Sequence, residues 1–129
     1  VVGDGECYEG SIWEGAMFAS HHHLNNLTVI VDRNREVTLG DTEEIVKLEP
    51  FESKWQAFGW ETHVVKEGNN AEAVQRSLEA VLGQSGSKPR VFIVETIKGK
   101  GVSFMEKGGW HHEVPKGEKA EIAKKELGL

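Results

Sequence analysis

The stretch LTVIVDRN, residues 27–34, decides the fold of this 129-residue chain. Its first part, residues 27–32, is rich in β-branched side chains and lacks polar alternation, which is typical of strands buried on both faces of a parallel sheet. Two similar runs cover residues 62–65 and 91–95, and Val1-Val2 has the form of the end of a fourth strand. We therefore predict a sheet of mostly parallel strands.

Helical patterns lie between these strands. Residues 71–82 place apolar side chains at helical spacing, with Asn70 before them as a cap and Gly83 after them. Further helices are predicted over residues 11–24 and 51–58, and a last one starts at or near Pro115. The alternation of strand and helix predicts an α/β fold with helices on both faces of the sheet.

Composition and charge narrow the class of protein. Fifteen Lys and Arg against twenty-one Asp and Glu give a net charge of −6, so phosphate backbones repel the chain and nucleic acid is not an expected partner. The single cysteine, Cys7, cannot form an internal disulfide, which fits a reducing compartment. No apolar run reaches the ~18 residues of a membrane span. We expect a cytoplasmic protein without a membrane partner.

Two polar clusters follow neighbouring strands. A Gly-Asp-Gly triplet, residues 3–5, comes after the first strand, and Asn34 comes after residues 27–32. In open α/β sheets, ligands bind at the carboxyl ends of the strands. By itself the triplet is typical of an ordinary turn. The prediction of a ligand site therefore depends on both strand ends together.

The residues at this edge suit a phosphate and a hard cation. The backbone amides of Gly5 and Glu6 can donate hydrogen bonds to phosphate oxygens. A carboxylate from Asp4, an amide oxygen from Asn34 and the main-chain carbonyl of Glu36 form a set of oxygen ligands. Such a set suits Mg²⁺ or Ca²⁺.

Six segments, taken in order, carry a resemblance to a known family. They are residues 3–10 (GDGECYEG), 13–15 (WEG), 26–27 (NL), 32–34 (DRN), 96–102 (TIKGKGV) and 110–112 (WHH). Their order and spacing resemble the thiamine-diphosphate motif of transketolases over nearly the whole chain. The chain looks most like the short-form or split transketolases, whose two halves are separate polypeptides.

The resemblance implies a thiamine-diphosphate-binding fold that is incomplete in this chain. Residues 1–129 correspond to the later half of the diphosphate-binding domain, with its upstream part and the pyrimidine domain absent. The implied enzyme transfers a two-carbon ketol unit between ketose and aldose phosphates, as in the pentose phosphate pathway. It needs a complementary segment or subunit that carries the pyrimidine domain, in a homodimer or a heterotetramer. We expect the isolated chain to be inactive.

The resemblance also assigns roles to individual residues. The implied metal ligands are Asp4, Asn34 and Glu36. The implied cofactor-binding residues are Gly3, Asp4, Gly5, Glu6, Asn34, Ile97 and His111. The implied catalytic residues are His111, which contacts diphosphate and substrate, and Glu9 and Glu14, which link the active sites of two subunits.

Several alternatives stay open at this point. His112 replaces a glycine common in the family, so either His111 or His112 can be the residue that reaches substrate. Glu9 and Glu14 also fit a role in complementing a helix dipole. The Lys98 and Lys100 segment is either a phosphate-approaching loop or a surface loop. The whole chain also fits a subunit of another thiamine-diphosphate enzyme, a synthase or decarboxylase, or a non-catalytic structural subunit.

Overall fold

A parallel sheet of four strands organises the chain, whose computed structural model describes residues 1–129. The strands in chain order are β1 (Val2–Gly3), β2 (Thr28–Arg33), β3 (Glu36–Val37), β4 (Gly40–Asp41), β5 (Glu61–Val65) and β6 (Arg90–Glu95). The main sheet has the order β1-β2-β6-β5, and every neighbouring pair in it is parallel. The remaining strands, β3 and β4, form a small antiparallel hairpin. The predicted parallel sheet is confirmed.

Five α-helices and one 3-10 helix complete the secondary structure. They are the 3-10 helix Asp4–Tyr8, α1 (Gly10–His21), α2 (Thr42–Ile45), α3 (Phe51–Ala57), α4 (Ala71–Leu82) and α5 (Glu118–Glu126). Helix α4 has the predicted bounds, and the Asn70 side chain accepts hydrogen bonds from the backbone N–H groups of Glu72 and Ala73. The chain therefore begins this helix with the predicted cap.

Two predicted helix ends are displaced, each for a backbone reason. Helix α1 ends at His21 rather than at residue 24, because His23 adopts a positive φ of 54° that no α-helix can continue through. Helix α5, predicted to start at or near Pro115, begins slightly later at Glu118, because Gly117 has a φ of 57° and directly precedes the first helical turn. The hairpin and α2 were not predicted, since elements this short have no periodicity.

Helices cover both faces of the sheet, as predicted. Successive side chains of β6 point to opposite faces, so that Val91 and Ile93 join one apolar cluster while Phe92 and Val94 join another. The first cluster also holds residues of α1 and α3, namely Ala16, Ala19, Phe51 and Trp55. The second packs against Val74 and Leu78 of α4. Since β6 is buried on both sides, its sequence has no polar alternation.

The strand register determines where the functional residues lie. Val2 is opposite Val31 and Gly3 is opposite Asp32, so β1 and β2 end at the same edge of the sheet. The triplet at residues 3–5 and Asn34 therefore leave the sheet side by side, as the sequence predicted. None of the helices combines the length and the apolar character needed to span a lipid bilayer.

Candidate cofactor-binding site

A cavity of about 500 Å³ lies at the carboxyl edge of β1 and β2. The predicted site residues that line it are Gly3, Asp4, Gly5, Glu6, Glu9, Asn34, Glu36 and His111. Two predicted residues lie elsewhere. Glu14 is exposed on α1, and Ile97 lines a neighbouring cavity of about 540 Å³.

Asp4 is held by one of its two carboxylate oxygens. Its Oδ2 atom accepts hydrogen bonds from Nη1 of Arg33 at 3.0 Å and from the backbone N–H of Arg35 at 2.7 Å. No protein group donates to Oδ1. The side chain is only 1% exposed, yet it lines the cavity. Oδ1 is therefore the oxygen of Asp4 that is available to a ligand.

Two hydrogen bonds hold the side chain of Asn34 in place at the end of β2. Its Oδ1 atom accepts a hydrogen bond from the backbone N–H of Glu36 at 2.9 Å, and its Nδ2 donates to Asp32 at 3.3 Å. An amide oxygen has two lone pairs, so Oδ1 retains one for a second partner. The side chain is thus fixed in orientation at the cavity wall.

The residues present fit a magnesium ion. No three His, Cys, Asp or Glu side chains come together as a metal-binding group, and Asp4 is the one carboxylate among the predicted ligands. Mg²⁺ commonly binds through one or two carboxylates, phosphate oxygens and retained water rather than through a full protein cage. Asp4, the amide of Asn34 and the carbonyl of Glu36 supply a donor set of this kind.

His111 is paired with Lys98, and both residues line the cavity. Nζ of Lys98 lies 2.6 Å from Nδ1 of His111, and the lysine charge is the main cause that lowers the pKa of His111 below its usual value. Because an ammonium group has donors only, Nδ1 accepts and the neutral ring carries its proton on Nε2. His112 stacks edge-on against His111 and does not line this cavity.

Arg33 is a site residue that sequence reasoning missed. Its guanidinium is 2% exposed and donates to Asp4 at 3.0 Å, Thr42 at 2.7 Å, Glu43 at 2.8 Å and Glu49 at 3.0 Å. Burial opposes the charge, but the hydrogen bonds with Glu49, Asp4 and Glu43 outweigh it and raise the pKa of Arg33 above its usual value. We call these five residues the Arg33 cluster. The sequence did contain a signal for this role, because Arg33 ends a buried strand and precedes a segment rich in acidic residues.

The Arg33 cluster also orders the segment that follows the hairpin. Burial acts to raise the pKa of Glu43, but hydrogen bonds from Arg33 and from the backbone N–H groups of Glu49 and Leu48 outweigh it and bring the pKa below its usual value. The pKa of Glu49 is also lowered, chiefly because its carboxylate accepts the backbone N–H of Phe51. Both glutamates are therefore ionised at neutral pH.

Cys7 lies beside the site and is not a nucleophile. Its side chain is 2% exposed, and burial, with added effects of the Asp4 and Glu6 charges, raises its pKa to about 12. The reactive form of cysteine is the thiolate, which is scarce at neutral pH with such a pKa. Cys7 contributes to the apolar cluster under α1 instead.

Gly5 allows the hairpin to pack directly on the backbone of the site. A Cβ atom at this position would lie 2.7 Å from Cγ1 of Val37. We predict that Gly5→Ala lowers the stability of the domain by about 1–3 kcal/mol, because valine has few alternative rotamers and the hairpin must shift. The thermal unfolding midpoint of the assembled enzyme measures this loss.

A double substitution tests the cause of that loss. In the Gly5→Ala, Val37→Ala protein, the clashing methyl groups of Val37 are absent. The double substitution is therefore expected to lower stability by less than the sum of the two single substitutions. Strictly additive effects would contradict the proposed contact between Gly5 and Val37.

The fold and the site together define an α/β domain with a cavity at the carboxyl ends of two parallel strands. Comparison with known proteins identifies the family. Residues 1–129 match the family described as "Transketolase, thiamine diphosphate binding domain", and the chain belongs to it. The sequence-based assignment to the transketolase family is thereby confirmed.

Curated relatives agree with this assignment. The chain is 44% identical over 128 residues to an apulose-4-phosphate transketolase subunit of Actinobacillus succinogenes, a match that covers 98% of this chain and 45% of the relative. It is 43% identical over 106 residues to the 6-deoxy-6-sulfo-D-fructose transketolase subunit SqwG of Clostridium sp. (strain MSTE9), covering 82% of this chain and 38% of the relative. The chain thus spans less than half of these relatives.

The crystal structure of transketolase from Campylobacter jejuni has a similar fold. It superposes with a TM-score of 0.85 at 28% identity, covering 99% of this chain and 20% of that one. The likeness extends over nearly the whole described chain, and so the α/β fold with its parallel sheet is that of the transketolase thiamine-diphosphate-binding domain.

Proposed function

We propose that these 129 residues form the diphosphate- and metal-binding part of a transketolase, which transfers a two-carbon ketol unit between ketose and aldose phosphates. One observation carries the proposal. In a domain of the thiamine-diphosphate-binding family, Asp4, Asn34 and His111 line a single cavity at the ends of β1 and β2. These are a cation-binding pair and a neutral imidazole, which suit an anionic cofactor and its metal.

The cation site consists of oxygen atoms from three residues. Oδ1 of Asp4, Oδ1 of Asn34 and the main-chain carbonyl of Glu36 would hold Mg²⁺, or Ca²⁺ in its place. A cation held there would offset the charge of the diphosphate, which the chain as a whole, with a net charge of −6, does not. The glycines on either side of Asp4 let the backbone approach the phosphate oxygens, and Glu6 lies beside them at the cavity wall.

His111 acts as a hydrogen-bond donor. Lys98 fixes its tautomer, so the Nε2–H group donates to an oxygen of the diphosphate or of the sugar substrate. Thiamine diphosphate, when bound, supplies the carbon nucleophile that ketol transfer requires. Membership of the family suggests that Ile97, which lines the neighbouring cavity, packs against the cofactor. It also suggests that Glu9 and Glu14 lie where two active sites approach each other. The chain offers no candidate for the glutamate that activates the cofactor's aminopyrimidine.

We propose that a complementary segment or subunit, carrying the pyrimidine domain, completes the active site. The names of two relatives describe them as transketolase subunits, which supports an assembly of this kind. Residues 1–129 are the later half of the diphosphate-binding domain in this proposal, and the assembly is a homodimer or a heterotetramer in the cytoplasm. Sugar phosphates are the substrate class.

An assay of ketol transfer tests this function. The assembled enzyme with thiamine diphosphate and Mg²⁺ is expected to turn over a ketose phosphate donor only when an aldose phosphate acceptor is present. The 129-residue chain alone is expected to show no turnover. Turnover by the isolated chain would contradict the need for a partner.

Two experimental outcomes would each favour a different function. Release of carbon dioxide from a 2-oxo acid donor, with no turnover of a ketose phosphate, would identify the chain as part of a synthase or decarboxylase. If calorimetric titration showed that the assembled protein does not bind thiamine diphosphate, the chain would instead belong to a structural, non-catalytic subunit.

A further inference from the structure

We infer that Arg33 is a positioning residue that limits Asp4 to coordination through one oxygen, and that it thereby favours Mg²⁺ over Ca²⁺ at the site. This inference rests on the proposed function, because it concerns the metal that Asp4 is proposed to bind. It follows from the hydrogen bonds of the Asp4 carboxylate, from the rigidity of the Arg33 cluster and from the different coordination habits of the two cations.

The Asp4 carboxylate has one occupied and one free oxygen. Oδ2 accepts two hydrogen bonds, from Arg33 and from the backbone N–H of Arg35, and these take up both of its lone-pair directions. Oδ1 accepts none. The carboxylate is 1% exposed, so water does not compete for Oδ2 in place of these donors. A cation in the cavity therefore meets a carboxylate with one available oxygen.

Arg33 cannot easily release its hold on Oδ2. Nη1 is shared between Asp4 and Thr42, and Nη2 is shared between Glu43 and Glu49. The guanidinium carbon also lies 5.5 Å from the centre of the Phe51 ring. A planar guanidinium whose two terminal nitrogens, Nη1 and Nη2, are both fixed has no alternative orientation with the same partners. The position of Oδ2 is thus set by residues on both sides of the hairpin.

The two cations respond differently to this restriction. Ca²⁺ takes about 6–8 oxygen ligands in flexible geometry and often binds a carboxylate through both oxygens. Mg²⁺ requires near-octahedral geometry with about six ligands and keeps several waters. A carboxylate limited to one oxygen suits Mg²⁺ and removes one of the ligands that Ca²⁺ otherwise gains. Arg33 therefore determines selectivity without contacting the cation.

The ratio of the two dissociation constants separates geometry from charge. Arg33 carries a positive charge near the site, and removing it strengthens the binding of any divalent cation. That effect is the same for Mg²⁺ and Ca²⁺, because both carry two charges. It cancels in the ratio, whereas freeing Oδ2 changes the ratio. The ratio is therefore the quantity to measure.

The experiment titrates Mg²⁺ and, separately, Ca²⁺ into the assembled enzyme with saturating thiamine diphosphate, and calorimetry gives both dissociation constants. Arg33→Met is expected to shift their ratio toward Ca²⁺ by about tenfold, a typical effect of removing a residue that orients a metal ligand. Arg33→Lys is expected to restore part of the ratio, since an ammonium can still donate to Oδ2.

Arg35→Asn is the matched control. It removes a neighbouring positive charge from an exposed side chain but keeps the backbone N–H that donates to Asp4. Asparagine also tolerates the φ of 65° found at this position. The control is expected to leave the ratio at its unsubstituted value, even where both affinities change in parallel.

The outcomes distinguish this inference from the proposed function. An unchanged ratio in folded Arg33→Met protein would overturn the role of Arg33 and leave the metal site intact. Failure of the unsubstituted enzyme to bind either cation would overturn the metal site itself, and the inference with it. If thermal unfolding shows that Arg33→Met does not fold, Arg33→Gln takes its place, with the same expected shift and the same overturning result.

Discussion

Asp4→Asn is expected to weaken the metal-dependent binding of thiamine diphosphate to the assembled enzyme by at least about 100-fold. The asparagine oxygen can take the place of Oδ2 and accept the hydrogen bonds of Arg33 and of the Arg35 backbone. The amide nitrogen then replaces Oδ1 and presents N–H donors to the cavity, where a cation needs an acceptor. The substitution therefore removes the ligand while it preserves the shape of the site.

The size of this effect follows from the loss of one buried charge. Removing one partner of a buried ionic contact costs about 3–5 kcal/mol, and the lower figure corresponds to roughly a 100-fold weaker dissociation constant. Ketol-transfer activity at a fixed cofactor concentration is expected to fall in parallel. Isothermal titration of thiamine diphosphate, with Mg²⁺ and then with a chelator, measures the change.

A carboxylate outside the site provides the control for Asp4→Asn. Glu72→Gln removes a charge from the exposed first turn of α4 and is expected to leave cofactor affinity and activity unchanged. If Asp4→Asn bound the cofactor as tightly as the unsubstituted enzyme, and a chelator had no effect, Asp4 would not be a metal ligand.

Arg33→Met is expected to lower the local stability around the cavity by about 3–5 kcal/mol, because it leaves Asp4 as a buried charge without its partner. The contacts of Arg33 with the more exposed residues of the cluster contribute less to this stability. Glu49 has 47% of its side chain exposed, so water replaces part of its interaction with Arg33. The main cost therefore arises at Asp4, which is 1% exposed.

Hydrogen exchange of backbone amides measures this local loss. The N–H groups of Leu48 and Glu49 donate to the Glu43 carboxylate, which Arg33 holds in place, so their exchange is expected to accelerate in Arg33→Met. Arg35→Asn, whose side chain is exposed, is expected to change stability by less than about 0.5 kcal/mol. Exchange rates in Arg33→Met equal to those of the control would contradict a structural role for the cluster.

The elements that the sequence predicted well are those with a repeated pattern. Helix α4 was predicted with its bounds, because a row of apolar side chains and an Asn70 cap point to the same residues. Strands β2 and β6 were recognisable since burial on both faces leaves an unbroken apolar run. The placement of Asp4 beside Asn34 required only that β1 and β2 be neighbours, and the register fulfils this condition.

The parts that the sequence did not predict depend on contacts between distant residues. The acceptors of Arg33 lie at Asp4 and between Thr42 and Glu49, and no local period connects them. The contact of Gly5 with Val37 arises only when the hairpin folds over the site. The pairing of Lys98 with His111 likewise joins two positions in an irregular loop. Such interactions have no signal in a single sequence beyond the residue types themselves.

Because β6 is buried on both faces, the sheet separates two apolar clusters that are expected to change at different rates among homologous sequences. The apolar cluster beneath α1 and α3 includes Cys7, a neighbour of Asp4, whereas the cluster beneath α4 shares no residue with the cavity. Over evolutionary time, substitutions beneath α4 are constrained by packing alone. Substitutions beneath α1 and α3 must also keep Asp4 in its position at the cavity. Homologous chains should therefore drift faster on the α4 side, with the sheet as the boundary between the two rates.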